Sequence, residues 1–157
     1  RDIKPANVLV AEETHITKLC DLGLSRLKSS QSLSQTASIA IPGTPSYMAP
    51  ECLLERKKAS VHSNVWSLAC TLIELFTEKN CWGKLQDAST SNSEDRSADL
   101  DMGINSLLAA MKRKEYPSSI DLLPNTSGAA VYGILLECFH YDIGSRACSI
   151  DIVNTFQ

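Results

Sequence analysis

The residues near the start of the sequence that could do chemistry are two acids, a lysine and an asparagine: Asp2, Lys4, Asn7 and Asp21. An acid can accept the proton of an attacking hydroxyl, and a lysine can neutralise a transferring phosphate. The oxygens of an asparagine and of a second acid can ligate Mg²⁺, which prefers oxygen ligands. The set fits phosphoryl transfer, although the first seven residues taken alone could also form a solvated polar turn before a strand.

A second motif, GTPSYMAPE, occupies residues 43–51. Asp2 and Asn7 are separated by the five-residue interval of the protein kinase catalytic loop. The second motif has the order and spacing of the end of a kinase activation segment. With Lys4 two residues after Asp2, the chain resembles the C-terminal lobe of a eukaryotic-type Ser/Thr protein kinase, and the resemblance covers nearly all of it.

The resemblance implies a role for each of the four chemical residues. Asp2 is expected to act as the base or to orient the nucleophile, and Lys4 to contact the γ-phosphate of ATP. Asn7 and Asp21 are expected to hold Mg²⁺. The reaction implied is transfer of the ATP γ-phosphate to a Ser or Thr hydroxyl of a protein substrate.

Residues 24–42 are rich in serine and lack apolar periodicity, which favours a mobile loop over a packed element. In the family this position holds the activation loop, and Arg1 is the residue whose guanidinium pairs with a phosphate there. Because Ala40 stands at the frequent acceptor position, Thr36 or Ser38 would carry that phosphate. A plain flexible linker is the alternative.

Two structural contacts also follow from the resemblance. Thr44 is expected to hydrogen-bond both Asp2 and Lys4 rather than to be phosphorylated. Glu51 needs a cationic partner if it is buried, and Arg146 resembles the arginine that supplies one. The alternative for Arg146 is an exposed position near a helix end.

Apolar residues recur with helical spacing from Val61 to Phe76, and a helix that is apolar nearly all round is buried. It resembles the central helix of the kinase C-lobe, whose Asp-Val-Trp-Ser-Leu-Gly signature reads NVWSLA at residues 64–69. Asn64 stands where the family has a carboxylate that accepts N–H bonds from the catalytic loop. An amide accepts through one oxygen without charge, so Asn64 bears on activity more than on fold.

The predicted fold class is mainly α with a small β-hairpin, a protein-kinase-like C-lobe in one partial domain, 1–157. Short apolar runs at 8–10 and 16–20 predict the hairpin, whose geometry would bring Asn7 close to Asp21. Polar, aperiodic residues over 83–103 predict a disordered surface insertion. Further apolar stripes predict helices at about 104–113, around 131–138 and from about 147 to 156.

Composition and charge exclude several classes of partner. The net charge of -3 argues against sequence-independent binding of nucleic acid or of anionic membranes. No apolar run reaches the roughly 20 residues that span a bilayer, so we expect no membrane span and an intracellular location, cytoplasmic or nuclear. The six cysteines form no C-x-x-C pair, which favours buried reduced thiols over disulfides or a zinc site.

The 157 residues contain neither a G-x-G-x-x-G loop nor a V-A-I-K-like strand, the kinase parts that grip ATP. Because the chain also begins inside the catalytic-loop motif, we expect it to be part of a longer kinase whose N-lobe lies elsewhere. The isolated chain is then expected to be inactive. The alternative is a pseudokinase that serves as a scaffold or allosteric protein-binding module, which Asn64 favours and the intact chemical residues oppose.

Overall fold

The computed structural model describes residues 2–20, 43–83, 96–124 and 128–157, with the backbone alone described over 96–102. This part of the chain is mainly helical with one small sheet, as the sequence predicts. Its α-helices are α1 (Pro50–Leu53), α2 (Val61–Thr77), α3 (Arg96–Lys112), α4 (Gly128–Cys138) and α5 (Ser149–Thr155). Short 3₁₀ turns occupy Pro5–Asn7, Pro45–Tyr47 and Ser118–Leu122. Within the described ranges, no helix is both long and apolar enough to cross a membrane.

The predicted hairpin is present. Strand β1 (Val8–Val10) pairs antiparallel with β2 (Thr17–Leu19), so that Val8 lies opposite Leu19. The pairing extends one residue further, because the Cys20 N–H donates to the Asn7 carbonyl over 2.8 Å. The base of the hairpin therefore places Asn7 beside Cys20, the residue that precedes Asp21.

Helix α2 is the centre of the core, as its all-round apolar pattern predicts. It begins with a capping box in which Ser60 and Ser63 bond each other's backbone N–H groups through their hydroxyls, at 2.7 and 3.2 Å. Such a cap satisfies two backbone donors that the first turn leaves free. The helix ends at Thr77, and the left-handed backbone of the following residue, Glu78 (φ 54°), turns the chain away.

The side chain of Trp66 on α2 is fully buried and joins this helix to the C-terminal part of the chain. Its ring meets Phe139 edge-on at 5.0 Å and Tyr141 at 5.4 Å between centroids. Each such aromatic pair contributes about 0.5–1.5 kcal/mol beyond its buried area. Buried residues from the other helices complete the same core, among them Leu53, Met111, Leu135 and Ile152.

The predicted boundary between the insertion and the next helix is wrong. Helix α3 begins at Arg96 rather than at about residue 104, so residues 96–103 of the predicted insertion are helical. This stretch contains Ala98, Leu100 and Met102, which favour helix. The neighbouring serines and aspartates obscured that preference in the sequence. Residues 84–95 of the predicted insertion lie outside the described residues.

The cysteines are free thiols in mixed surroundings. Cys70, Cys81 and Cys138 are buried, whereas Cys148 is exposed. Burial raises the pKa of Cys138 to about 12 and also raises the pKa of Cys81. These two thiols therefore stay protonated at neutral pH and behave as small apolar groups of the core.

Candidate active site

A tight turn brings together the first three of the four chemical residues. Pro5 opens the 3₁₀ turn, and the Asn7 N–H donates to the Lys4 carbonyl over 3.0 Å. The turn folds the Asn7 side chain back onto Asp2, so that Asn7 Nδ2 donates to the Asp2 carbonyl at 2.7 Å and to Asp2 Oδ2 at 3.3 Å. Because Asn7 is itself buried, these two hydrogen bonds hold Asp2 in a fixed position.

Thr44 connects this turn to the GTPSYMAPE segment. Lys4 Nζ lies 2.8 Å from Asp2 Oδ2 and donates to Thr44 Oγ1 over 2.7 Å. The backbone N–H of Thr44 donates to the other carboxylate oxygen, Asp2 Oδ1, over 3.1 Å. The structure thus brings Thr44 into contact with both Asp2 and Lys4, through its hydroxyl on the lysine and its N–H on the acid.

The surroundings of Asp2 keep its carboxylate ionised. Partial burial raises the pKa of Asp2, but the hydrogen bonds from Lys4 and the Thr44 N–H, together with the Lys4 charge, lower it by more. The net pKa therefore lies below the ordinary value of 3.8. At neutral pH this group is a hydrogen-bond acceptor held in place by three donor residues.

The side chain of Asn7 suits an oxygen ligand for Mg²⁺. Both of its hydrogen bonds in the described residues use Nδ2, which leaves Oδ1 without a protein partner there. Mg²⁺ commonly takes one or two protein oxygens and completes its shell with water and phosphate. Asn7 Oδ1 and the Asp21 carboxylate would form such a pair. In the ranges that the structure describes, no cluster of three His, Cys, Asp or Glu side chains offers another metal site.

A buried ion pair joins α1 to the segment after α4. Arg146 Nη1 lies 2.8 Å from Glu51 Oε1, and Nη2 lies 2.9 Å from Oε2. The guanidinium also donates to the carbonyls of His140 and His62, each at 3.0 Å, and its Cζ lies 5.2 Å from the centroid of the Trp66 ring. Arg146 is therefore a buried, paired residue and not an exposed one near a helix end.

Asn64 lies in the first turns of α2 and is half-buried. Its backbone N–H donates to the Ser60 carbonyl over 3.1 Å. Its side chain forms no hydrogen bond with any described residue. In particular, none of the backbone N–H groups of residues 2–7 donates to it. The expected acceptance of catalytic-loop N–H groups therefore has no counterpart in the described part of the loop.

Tyr47 is a contact residue that the sequence reasoning did not single out. Its carbonyl accepts from Ser67 Oγ over 2.7 Å, and its hydroxyl donates to Glu74 Oε2. Burial and the Glu74 carboxylate raise the pKa of Tyr47, which keeps the phenol protonated as a donor. The available signal was the pair of polar residues Ser67 and Glu74, which stand seven positions apart on one face of α2.

Four of the predicted site residues lie outside the described residues: Arg1, Asp21, Thr36 and Ser38. The predicted metal role of Asp21 and the predicted phosphate switch of the other three therefore stay predictions. The described part of the site consists of Asp2, Lys4, Asn7 and Thr44.

Comparison with known families identifies the class of protein. The protein kinase domain family matches the chain over residues 1–155. The chain therefore belongs to the protein kinase family.

Several curated proteins share this similarity. The chain is 45% identical over 76 residues to the Serine/threonine-protein kinase RUNKEL of Arabidopsis thaliana, a match that covers 48% of this chain and 5% of that protein. It is 43% identical over 82 residues to the Dual specificity mitogen-activated protein kinase kinase hemipterous of Drosophila melanogaster, covering 51% and 6%. It is 32% identical over 146 residues to the Cytokinesis protein sepH of Aspergillus niger, covering 93% and 9%. The matched segments thus cover less than a tenth of the length of each of these relatives.

Proposed function

We propose that this chain supplies the catalytic loop of a Ser/Thr protein kinase, which transfers the γ-phosphate of ATP to a protein hydroxyl. The observation that carries the proposal is the hydrogen-bonded network of Asp2, Lys4, Asn7 and Thr44. It joins an ionised acid, a cation and an amide oxygen within one turn of chain. Phosphoryl transfer depends mainly on such positioning and on charge neutralisation.

In this proposal Asp2 orients the acceptor hydroxyl. The hydroxyl oxygen forms a bond to the γ-phosphorus, the bond from that phosphorus to the β,γ-bridging oxygen breaks, and ADP leaves with the electron pair. The hydroxyl proton passes to the Asp2 carboxylate. Because the pKa of Asp2 is low, its first task is to align the hydroxyl, and it takes the proton only as the new bond forms.

Lys4 neutralises the transferring phosphate. An ammonium has three N–H donors, and in this structure two acceptors, Asp2 Oδ2 and Thr44 Oγ1, occupy two of them. The third is available for a phosphate oxygen. The side chain is 24% exposed, so it can be reached from the solvent side without leaving its two protein partners.

Asn7 Oδ1 and Asp21 would hold Mg²⁺ beside this pair. The bound metal would neutralise charge on the phosphates of ATP. The role of the chain is then to leave the amide oxygen free for the metal, which it does by engaging Asn7 Nδ2 with Asp2.

The choice of Ser or Thr as the acceptor is supported by Lys4 and by the relatives. The sequence places Lys4 two residues after Asp2, as in the Ser/Thr kinases that the chain resembles. RUNKEL is named a serine/threonine kinase, whereas hemipterous is named a dual-specificity kinase. We propose Ser/Thr specificity, with ATP bound between this chain and an N-lobe encoded outside the 157 residues.

A phosphate-transfer assay on the complete kinase domain tests the proposal. The enzyme is incubated with Mg²⁺, γ-labelled ATP and three peptide pools whose acceptor is only Ser, only Thr or only Tyr. We expect label in phosphoserine or phosphothreonine. Label in phosphotyrosine alone would overturn the specificity, and no transfer to any pool would favour the pseudokinase scaffold.

A further inference from the structure

Helix α2 holds Tyr47 at two points, one on its backbone and one on its side chain. Ser67 Oγ donates to the Tyr47 carbonyl over 2.7 Å, and the Tyr47 hydroxyl donates to Glu74. Ser67 and Glu74 are seven residues apart, so they lie on the same face of the helix, about 10.5 Å apart along its axis. Tyr47 therefore lies along α2 and is fixed at both ends.

The same short turn that contains Tyr47 also places Thr44. The Tyr47 N–H donates to the Thr44 carbonyl over 3.1 Å, and Thr44 is the residue that precedes the 3₁₀ turn Pro45–Tyr47. Thr44 in turn donates its N–H to Asp2 and accepts from Lys4. A continuous set of hydrogen bonds thus runs from Ser67 through Tyr47 and Thr44 to the Asp2 carboxylate.

The hydroxyl of Ser67 also has an acceptor within its own helix. It donates to the carbonyl of Ser63 over 3.1 Å, the usual bond of a serine inside a helix. The Tyr47 carbonyl lies closer, at 2.7 Å. Serine is also a poorer helix former than alanine, so helix propensity gives no reason for its presence on this buried face.

We propose that Ser67 is a positioning residue for phosphoryl transfer, because it holds the Tyr47 carbonyl so that Thr44 stays on Asp2 and Lys4. This proposal rests on the proposed kinase function. Ser67 would touch neither ATP nor the acceptor, and would act through Thr44 alone.

The kinetic test compares two variants in the complete kinase domain. Ser67→Ala removes the bond to Tyr47 together with the longer bond to the Ser63 carbonyl. Thr71→Val is the matched control, since among the described residues the buried Thr71 hydroxyl donates only to the Ser67 carbonyl of its own helix, at 2.9 Å. We expect kcat to fall about tenfold in Ser67→Ala, as loss of one buried hydrogen bond allows, with KM for ATP unchanged. Thr71→Val should keep the wild-type kcat although it also loses a buried hydroxyl.

A second readout needs no turnover, and it separates failure of this proposal from failure of the kinase function. The hydrogen-exchange rate of the Thr44 N–H is measured by NMR in the complete kinase domain. Because this N–H donates to Asp2 Oδ1 over 3.1 Å, its exchange should be faster in Ser67→Ala and stay at the wild-type rate in Thr71→Val. A wild-type domain that transfers no phosphate, but whose Thr44 N–H exchanges faster in Ser67→Ala, would overturn the kinase function and keep the hold of Ser67 on Thr44.

Tyr47→Phe tests the other end of the contact, and it decides the question if Ser67→Ala does not fold. It removes the bond to Glu74 and should also lower kcat and speed hydrogen exchange of the Thr44 N–H, because the tyrosine loses one of its two attachments. Wild-type kcat and an unchanged Thr44 N–H exchange rate in the folded variants would overturn the proposal. Equal losses of kcat in Ser67→Ala and Thr71→Val would also overturn it, since the role of Ser67 would then be only structural.

Discussion

Arg146 and Glu51 form a two-point ion pair in the interior, with nitrogen–oxygen distances of 2.8 and 2.9 Å. The side chains are 0% and 5% exposed, and the two residues are 95 positions apart in the chain. Arg146 also donates from Nε and Nη1 to backbone carbonyls, so the charge is both paired and hydrogen-bonded. This pair attaches the end of the GTPSYMAPE segment to the C-terminal part of the fold.

Removing the arginine should destabilise the chain strongly. Arg146→Ala leaves the Glu51 carboxylate buried without a partner, and we expect the free energy of unfolding to fall by about 3–5 kcal/mol. Urea denaturation of the variant and the wild type measures this change in the free energy of unfolding. Arg113→Ala is the control, because it breaks an ion pair with Glu115 whose side chains are 59% and 48% exposed, and it should change stability little. Similar losses in the two variants would contradict the assigned importance of the buried pair.

Local pattern predicted the elements of the fold but few of its long-range contacts. The hairpin and α2 could be predicted because their apolar spacing is local. The start of α3 was missed, since its helix formers are diluted by serine and aspartate. The Glu51–Arg146 contact was expected only from family resemblance, as no periodic pattern links residues 95 positions apart.

The site was predictable to a similar degree. The types and spacing of Asp2, Lys4 and Asn7 indicated their chemistry, and the turn at Pro5 explains why they meet. The contact of Tyr47 with Ser67 and Glu74 could not be predicted, because it depends on how a turn packs against a helix surface. Serine and glutamate at a helix position do not by themselves indicate which backbone they face.

The ionised Asp2 carboxylate should make stability depend on pH in the acid range. Its pKa in the folded chain is below the ordinary value of 3.8, so the unfolded chain binds a proton more readily. This contribution to stability is fully present above pH 3.8 and is lost as the pH falls through the lower folded pKa. Urea denaturation at a series of pH values should show a steeper acid loss for the wild type than for Asp2→Asn. Superimposable profiles would contradict the described contacts of Asp2.

Asn64→Asp should stabilise the fold. Asn64 is half-buried in the first turns of α2, where a negative charge interacts favourably with the helix dipole by about 0.3–1 kcal/mol. The melting temperature should therefore rise. Asn154→Asp, in the last turn of α5, places the same charge at a helix C-terminus and should lower it. A lower melting temperature for Asn64→Asp would mean that the amide N–H₂ is needed at this position.

The 157-residue chain should bind Mg-ATP weakly. It contains the proposed ligands Asn7 and Asp21, but its sequence has no Gly-rich loop to cover the phosphates. Isothermal titration should give a dissociation constant for Mg-ATP well above the low-micromolar range. Low-micromolar binding would contradict the proposal that a second lobe is required.

The most direct test of the account is the rate of phosphoryl transfer in a single turnover by the complete kinase domain. Asp2→Asn retains the shape of the side chain but removes its charge and its capacity to take a proton. We expect the transfer rate to fall on the order of 10²-fold or more, with the affinity for ATP little changed. Glu12→Gln, which removes an exposed acid from the hairpin turn, should transfer phosphate at the wild-type rate. An undiminished transfer rate in Asp2→Asn would contradict the assignment of Asp2 as the catalytic acid–base residue.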